Sequence, residues 1–514
     1  MHATRRTITL AALLALGGCG GDSGTSSSGT WKQGVYDASS SYVNQCASPR
    51  TGTDPSTGKA YPDKAGSTLT ENLFLRSWTN ELYLWYREVP DNDPAQYSTA
   101  NYFNLLKTSA TTPSGRSKDR FHFTYSTAEW IALSQSGIEA GYGASWVLLA
   151  STPPRKVVVA YTDPGTPAAG VALARGAQVL TVDGVDLVNA SDSASVNTLN
   201  AGLFPSAAGA SHTFTVLDLG ASSPRTITMV SANVTSTPVQ NVGTIRSASG
   251  TVGYMLFNDH IATAEKLLVD AFTQLAAANV DDLVLDVRYN GGGYLDIASE
   301  VAYMIAGPAA TTGRTFEKTI FNDKYTTKNP VTGETLTPVP FHTKTLGFSG
   351  TQGQALPTLN LSRVAVLTGS NTCSASESIV NSLRGVGVQV VVVGGTTCGK
   401  PFGFYPEDNC GTTYFSIQFQ GVNDQGFGDY PDGFSPTNAT GTVGVTVPGC
   451  AVADDFDHAL GDRNEARLSA ALGYLANQGC PAASASELAQ AAGARAGGEL
   501  MVKSPWRENR ILRR

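Results

Sequence analysis

Three short segments of the sequence carry residue types that support nucleophilic chemistry. Ser374 comes shortly after an apolar run that predicts a buried strand. Lys400 follows a second such run, and the stretch Gly291–Gly293 follows a third. In α/β folds, ligand-binding and catalytic groups commonly lie beyond the carboxyl ends of the strands. We therefore expect the three segments to meet at one edge of a sheet.

Serine and lysine together are suited to acyl transfer. A serine hydroxyl needs a base to become a nucleophile, and lysine can serve when burial favours its neutral amine. The aromatic residues expected to bury Lys400 are Phe402, Phe404 and Tyr405. Ser374 precedes a predicted helix, whose N-terminus favours negative charge. The backbone N–H groups of Ala375 and of the glycine stretch are expected to bind an oxyanion.

Other interpretations of the same residues stay open. A serine before a helix is a common cap, and a loop lysine is commonly solvated, so both side chains can be purely structural. His122 and His260 are alternative bases for a serine nucleophile, although such histidines are more often structural. No cysteine pair has zinc-ligand spacing with histidine partners, so we expect neither a metal nor any other cofactor.

Length and composition limit the class of protein. The 514 residues predict about three domains. The net charge of −7 argues against nucleic-acid binding, and a charged content of only 15% with 54 glycines indicates a loop-rich exported protein.

The N-terminal residues predict export and a lipid anchor. Arg5 and Arg6 precede a short apolar stretch, so residues 1–18 are interpreted as a signal peptide. The following Cys19 completes a segment that resembles the lipobox of bacterial lipoproteins, which implies lipidation of that cysteine. Because Gly20 rather than aspartate follows the cysteine, we expect the lipid to anchor the protein in the outer membrane of a Gram-negative bacterium, on its periplasmic side. Residues 19–30 are expected to form a flexible tether.

The remainder of the chain divides by pattern into four parts, and the fold class is α/β and multidomain. Residues 31–135 are predicted to be a small helical module, with one helix over 71–86 capped by Thr70. Residues 136–236 are predicted to be a β-rich domain, and residues 240–480 alternate strands and helices. Residues 481–514 are expected to be a mobile tail.

The ordered motifs resemble those of one peptidase family. Ser374–Glu377, followed by Gly399–Lys400, is similar to the C-terminal processing (tail-specific) peptidases, which are serine–lysine endopeptidases with a PDZ domain. Leu285–Gly292 matches their L-D-x-R-x-N-x-G-G stretch, and Leu82–Pro90 resembles the N-terminal helix of a periplasmic subgroup.

The resemblance implies a role for each matching residue. Ser374 would be the nucleophile, Lys400 the general base, and the N–H groups of Ala375 and Gly292 the oxyanion donors. Phe404 stands where many relatives carry a glutamine that orients the lysine. An orienting group is then expected elsewhere, and the candidates are the hydroxyls of Ser376 and Thr397. The loop Asp429–Phe434 is a further candidate for lining the substrate cleft.

The β-rich region resembles a bacterial PDZ domain. The similarity is carried by Gly165–Ala169, Gly176 and Val182–Gly184. Gly141, Tyr142 and Gly143 stand where that family binds a terminal carboxylate, which implies protein or peptide substrates recognised through their C-termini. The alternative function is a non-catalytic lipoprotein scaffold that binds peptides through this domain.

Six cysteines follow the lipobox, and their even number in an exported protein suggests disulfides. Proximity along the chain favours Cys398–Cys410 and Cys450–Cys480, although six cysteines allow 15 pairings.

Overall fold

The structure is a computed structural model that describes residues 31–441 and 444–482, together with strand pairings at 500–501 and 510–511. The predicted signal peptide, the lipidation at Cys19, the tether at 19–30 and most of the expected tail lie outside the described residues. Within the described ranges, no helix combines the length and apolar character needed to cross a bilayer.

The N-terminal segment is built around one buried helix. Its elements are β1 (Gln45–Cys46), β2 (Lys64–Ala65), α1 (Thr68–Leu82), α2 (Thr99–Leu105), β3 (Phe123–Ser126) and α3 (Thr127–Ser136), with short 3-10 helices at Ser39–Ser41, Tyr86–Glu88 and Pro94–Gln96. Helix α1 begins earlier than predicted because Ser67, not Thr70, is the cap, and the two residues form a reciprocal capping box. It ends earlier because Tyr83 turns into an extended conformation and its buried hydroxyl donates to Asp119.

Residues 138–235 form a separate antiparallel sheet, and the first and last strands of the region form a two-stranded antiparallel pair. The elements are β4 (Ile138–Gly141), β5 (Ala144–Ala150), β6 (Lys156–Thr162), α4 (Pro167–Gly170), β7 (Gln178–Val182), β8 (Val185–Asp186), α5 (Ser193–Leu203), β9 (Ser211–Leu217), β10 (Arg225–Val230) and β11 (Ala232–Thr235). The main path of the sheet is β10-β9-β7-β6-β5, and β4 pairs with β11. Its own apolar core includes Trp146, Val179 and Phe214.

The largest unit is a mainly parallel sheet with helices on both faces. The elements are β12 (Val239–Ser247), β13 (Gly250–Phe257), α6 (Ala264–Ala277), β14 (Asp282–Asp286), β15 (Gly293–Tyr294), α7 (Leu295–Thr311), β16 (Thr315–Phe321), β17 (Val339–Pro340), β18 (Arg363–Thr368), α8 (Ala375–Gly385), β19 (Gln389–Gly394), β20 (Phe402–Gly403), β21 (Glu407–Asn409), β22 (Thr412–Phe415), β23 (Phe419–Val422), β24 (Phe434–Pro436), β25 (Val445–Val447), β26 (Gly449–Ala451) and α9 (Ala466–Leu475). The strand order is β12-β13-β14-β18-β19-β26, and only β12 is antiparallel to its neighbour.

Alternation along the strands of this sheet separates two cores. On β18, Val364 and Val366 face the core that contains α6, α7 and α8, whereas Ala365 and Leu367 face the core that contains α9. A sheet buried on both faces is typical of parallel strands connected by helices. The mixed α/β class predicted from the sequence is confirmed.

Smaller pairings outside the large sheet join distant parts of the chain. Strand β3 of the N-terminal segment pairs with β22, and the disulfide Cys46–Cys410 joins the same two regions across 364 residues. The strands β27 (Leu500–Met501) and β28 (Arg510–Ile511) pair with β5 and β15, respectively.

The three disulfides confirm one predicted pairing and correct the other. Cys450–Cys480 is present as expected. The predicted Cys398–Cys410 bond is wrong, because Cys398 bonds to Cys373 and Cys410 bonds to Cys46. Proximity in sequence failed here because the β3–β22 pairing brings the distant N-terminal segment next to Cys410.

Candidate active site

Ser374 stands at the N-terminus of α8 in an unusual backbone conformation. Its φ is 58° and its ψ is −113°, values that residues with a side chain rarely adopt. The residue is fully buried. Strained positions of this kind cluster at functional sites, where the surrounding structure holds them in place.

The carboxylate of Glu377 holds the serine and lysine loops together. Its Oε2 atom accepts the backbone N–H of Ser374 at 2.9 Å and that of Lys400 at 2.8 Å. Its Oε1 atom accepts the N–H of Gly399 at 2.8 Å and the hydroxyl of Thr397. Burial raises the pKa of Glu377 above its usual value, against the lowering effect of these donors. One side chain therefore places the backbones of Ser374 and Lys400 side by side.

A disulfide ties the same two loops covalently. Cys373 immediately precedes Ser374, and its partner Cys398 lies two residues before Lys400. The Cys398 N–H also donates to the carbonyl of Thr372 at 3.0 Å. Because both sulfur atoms are used in the disulfide, their proximity to Glu377 does not make a thiolate metal site.

Lys400 is fully buried, and its ammonium nitrogen lies against two aromatic rings. Nζ is 4.6 Å from the ring centroid of Phe121 and 4.7 Å from that of Phe404. Phe402 belongs to the same apolar cluster and packs on Trp85 with ring centroids 4.7 Å apart.

The predicted lysine pocket is therefore only partly the one observed. Tyr405 lies in a different cluster, with Phe321 and Phe419. Phe121 comes from the N-terminal segment, and no local pattern around Lys400 could have found it.

The glycine-rich loop lies beside the serine segment and is fastened by Asn290. The backbone carbonyl of Asn290 accepts the N–H of Cys373 and the hydroxyl of Ser376, both within 3.1 Å. Its side-chain oxygen accepts the Gly292 N–H at 2.9 Å. Gly293 has a φ of 136°, and a Cβ atom there would lie 2.4 Å from the carbonyl oxygen of His260. The close approach of the two backbones thus requires glycine.

Of the two predicted oxyanion donors, the structure gives one an internal partner. The N–H of Gly292 is directed to Asn290 in this conformation. Ala375 is the first residue of α8, and the first N–H groups of a helix have no acceptor within the helix.

The two histidines considered as bases are buried and uncharged. His260 Nδ1 lies 3.0 Å from the Asn290 side-chain oxygen, and burial lowers its pKa to about 3. His122 stacks on Phe103, and burial lowers its pKa to about 4. His260 supports the glycine loop, whereas His122 packs within the N-terminal segment.

The predicted orienting hydroxyls and the predicted cleft loop have other partners. Ser376 donates to the Asn290 carbonyl, and Thr397 donates to Glu377 while it accepts the Phe434 N–H at 2.7 Å. Asp432 is buried and accepts hydrogen bonds from Thr112 and Ser114 of the N-terminal segment.

Arginines of the N-terminal segment contact the lysine loop. Arg120 donates to the carbonyl oxygens of Cys398 and Gly399, and Arg116 donates to the Cys398 carbonyl at 3.3 Å. With Asp432 and Phe121, these contacts make residues 112–121 a cover over the loop that carries Lys400.

A buried ionic network that no sequence pattern indicated lies next to the glycine loop. Arg288 donates to Asp286, Asp454 and Glu465, all with buried side chains. Arg175, from the β-rich region, donates to Asp454 at 2.7 Å and to the hydroxyl of Tyr289 at 2.7 Å. Burial alone would raise the pKa of Asp454, but the surrounding arginines hold it well below its usual value.

The β-rich region carries a separate concavity at Gly141, Tyr142 and Gly143. A cavity of about 140 Å³ is lined by these residues together with Trp146, Leu203 and Val234. Tyr142 is buried, and its hydroxyl donates to the Gly202 carbonyl at the end of α5. The adjacent edge of β5 accepts β27 as an antiparallel strand.

Comparison with known proteins finds similarity to one peptidase family. Residues 251–403 match the profile of peptidase family S41. The carboxyl-terminal-processing protease of Picosynechococcus sp. is 26% identical over 243 residues, which cover 46% of this chain and 49% of that protein. This chain thus aligns with about half the length of that curated relative. A solved structure from Bacteroides fragilis, assigned to the S41 proteases, shares the fold with a TM-score of 0.60 at 21% identity, covering 81% of this chain and 98% of the other. Residues 251–403, which hold Ser374, Lys400 and the glycine loop, therefore form a peptidase S41 domain.

Proposed function

We propose that the protein is a serine endopeptidase in which Ser374 is the nucleophile and Lys400 is the general base. The observation that carries the proposal is the joint anchoring of a strained, buried serine and a buried lysine on the single carboxylate of Glu377. A lysine held in an apolar pocket can be neutral and accept a proton, which a solvated loop lysine does not do at neutral pH. The structural interpretation of Ser374 as a simple helix cap does not explain why Lys400 is buried.

The reaction follows from these groups. The Ser374 hydroxyl attacks the scissile carbonyl carbon while the Lys400 amine takes its proton. The ammonium then gives that proton to the leaving amine, and an acyl-enzyme ester remains. Water attacks the ester in the second half, again with Lys400 as base, and the product carboxylate is released.

The oxyanion would be stabilised at the N-terminus of α8. The Ala375 N–H and the helix dipole both favour negative charge at this position. The Gly292 N–H completes the site when it turns from Asn290 Oδ1 towards the developing oxyanion. Asn290 thereby holds the Gly292 N–H in a hydrogen bond until substrate binds.

The region 136–236 is proposed to act as a PDZ domain that recruits the C-terminal part of a substrate. The supporting features are the cavity at Gly141–Gly143 and the edge of β5, where β27 pairs as an added antiparallel strand. Addition of a peptide strand to a sheet edge is the way in which such domains bind. Substrates would then be proteins or peptides.

The site of action is proposed to be the periplasmic side of a bacterial outer membrane. The predicted signal peptide and Cys19 support export with a lipid anchor. The three disulfides support an oxidising compartment.

The test is cleavage of an unfolded protein by the purified chain, with fragments identified by mass spectrometry. Ser374→Ala and Lys400→Met are expected to abolish cleavage. Ser193→Ala and Lys266→Met, which alter exposed side chains far from the site in sequence, serve as matched controls and should cleave normally. Cleavage that survives Ser374→Ala would refute the nucleophile. If no form cleaves but all bind a peptide at the β5 edge, the non-catalytic scaffold becomes the better function.

A further inference from the structure

Two cations share one aromatic ring at the lysine site. The guanidinium carbon of Arg120 lies 4.5 Å from the ring centroid of Phe121, and Lys400 Nζ lies 4.6 Å from the same centroid. Arg120 is fixed in place because it also donates to the carbonyls of Cys398 and Gly399. The N-terminal segment therefore delivers a permanent positive charge close to the proposed base.

The position of Arg120 bears on which protonation state of Lys400 the pocket favours. The faces of Phe121 and Phe404 attract a cation, so the rings alone stabilise the protonated form of Lys400, which cannot act as a base. A neighbouring like charge disfavours that form, and a guanidinium keeps its charge over the whole working range of pH. Arg120 thus opposes the effect of the rings.

The other charged or titratable groups around Lys400 have hydrogen-bond or charge partners of their own. Glu377 accepts hydrogen bonds from four donors, and burial raises its pKa. Arg116 contacts the same carbonyl as Arg120, but its charge is offset by Asp432, whose pKa it helps to lower. Asp119 accepts the Tyr83 hydroxyl and the Phe121 N–H. His122 has its pKa lowered to about 4 by burial and is uncharged at neutral pH.

We propose that Arg120 is a positioning residue that sets the protonation state of Lys400 through its charge at the shared Phe121 ring. The inference rests on the proposed role of Lys400 as the base. It assigns the N-terminal segment a part in the chemistry, because residues 112–121 carry both the ring and the charge.

The experiment is the pH dependence of kcat/KM on a fluorogenic peptide for Arg120→Lys, Arg120→Gln and Arg120→Glu. Arg120→Lys keeps the charge, so the midpoint of the rise in activity with pH should stay near that of the unaltered protein. Arg120→Gln should move the midpoint upward by about one pH unit, and Arg120→Glu should move it further. Below the midpoint this corresponds to about a tenfold loss, which is recovered at high pH.

The control is Arg116→Lys, which loses the guanidinium contact to the same carbonyl but keeps the charge that offsets Asp432. Its midpoint should stay unchanged. The inference would be overturned if Arg120→Gln and Arg120→Glu both lowered the maximum kcat/KM without moving the midpoint of its pH profile. Arg120 would then have a purely structural role. Arg120→Met, a second neutral variant, repeats the test if Arg120→Gln does not fold.

A failure of the proposed role of Lys400 as the base would give a different experimental result. If Lys400→Met keeps full activity, Lys400 is not the base and the proposed function falls. If Lys400→Met is inactive while the Arg120 series shows no ordered shift of the midpoint, only the role of Arg120 falls.

Discussion

The disulfide Cys373–Cys398 should matter for catalysis as well as for stability, and a second disulfide provides a matched comparison. Cys373–Cys398 closes a loop with a sequence separation of 25, and Cys450–Cys480 closes one of 30. The entropy of loop closure grows slowly with length, so both bonds should stabilise the fold by about 3–4 kcal/mol. Only the first bond lies between the loops that carry Ser374 and Lys400.

We therefore expect the paired serine variants to differ in activity but not in stability. Both Cys373→Ser with Cys398→Ser and Cys450→Ser with Cys480→Ser should lower the free energy of unfolding by similar amounts. Loss of the first pair should also lower kcat/KM by about 10–100-fold, because a small displacement of either reacting group is costly.

The assay is peptide cleavage at a temperature well below unfolding, combined with denaturant unfolding of each variant. Glu377 still holds the two loops when the bond is absent, so Cys373→Ser with Cys398→Ser should remain folded. Equal activity in the two variants, with equal loss of stability, would refute the reasoning. It would show that Glu377 alone fixes the geometry.

Two further predictions concern buried charge. Burial and the nearby Glu265 carboxylate raise the pKa of Glu300 to about 9. The folded protein therefore keeps a proton that the unfolded chain loses near pH 4.5, and the free energy of unfolding falls as the pH rises from 4.5 towards 9. The unaltered protein should lose unfolding free energy between pH 6 and pH 8, and Glu300→Gln should make that loss smaller by about 2–3 kcal/mol. Denaturant unfolding at the two pH values measures the loss, and an equal loss in both proteins would contradict this. Asp454→Ala should destabilise the fold by about 3–5 kcal/mol, because it removes the buried carboxylate that Arg288 and Arg175 share. A loss below about 1 kcal/mol in denaturant unfolding would argue against this.

The sequence was most informative where function depends on strand order. Apolar runs followed by Ser374, Lys400 and Gly291–Gly293 correctly predicted that these segments lie at the carboxyl ends of neighbouring parallel strands. The rule works because helical crossovers bring such strand ends to one edge, whatever the intervening chain does.

Contacts between distant segments could not be predicted in the same way. Phe404 was found because it lies close to Lys400 along the chain, whereas Phe121 reaches the same amine through tertiary packing. The Cys46–Cys410 bond depends on the β3–β22 pairing, for which no short pattern exists. Arg288 lay within a recognised motif, but its role in an ionic network becomes visible only when Asp454 and Glu465 are placed around it.

The long-range closure between the N-terminal segment and the large sheet has a consequence for the order of folding. Phe121 must reach Lys400, and Cys46 must reach Cys410 across 364 residues. Closing loops of this length costs entropy before the contacts form, and folds rich in such contacts assemble slowly. The lysine pocket therefore cannot be completed while the chain is still emerging or extended. The reactive cleft is completed only after the chain as far as Cys410 is available and the N-terminal segment has packed against it.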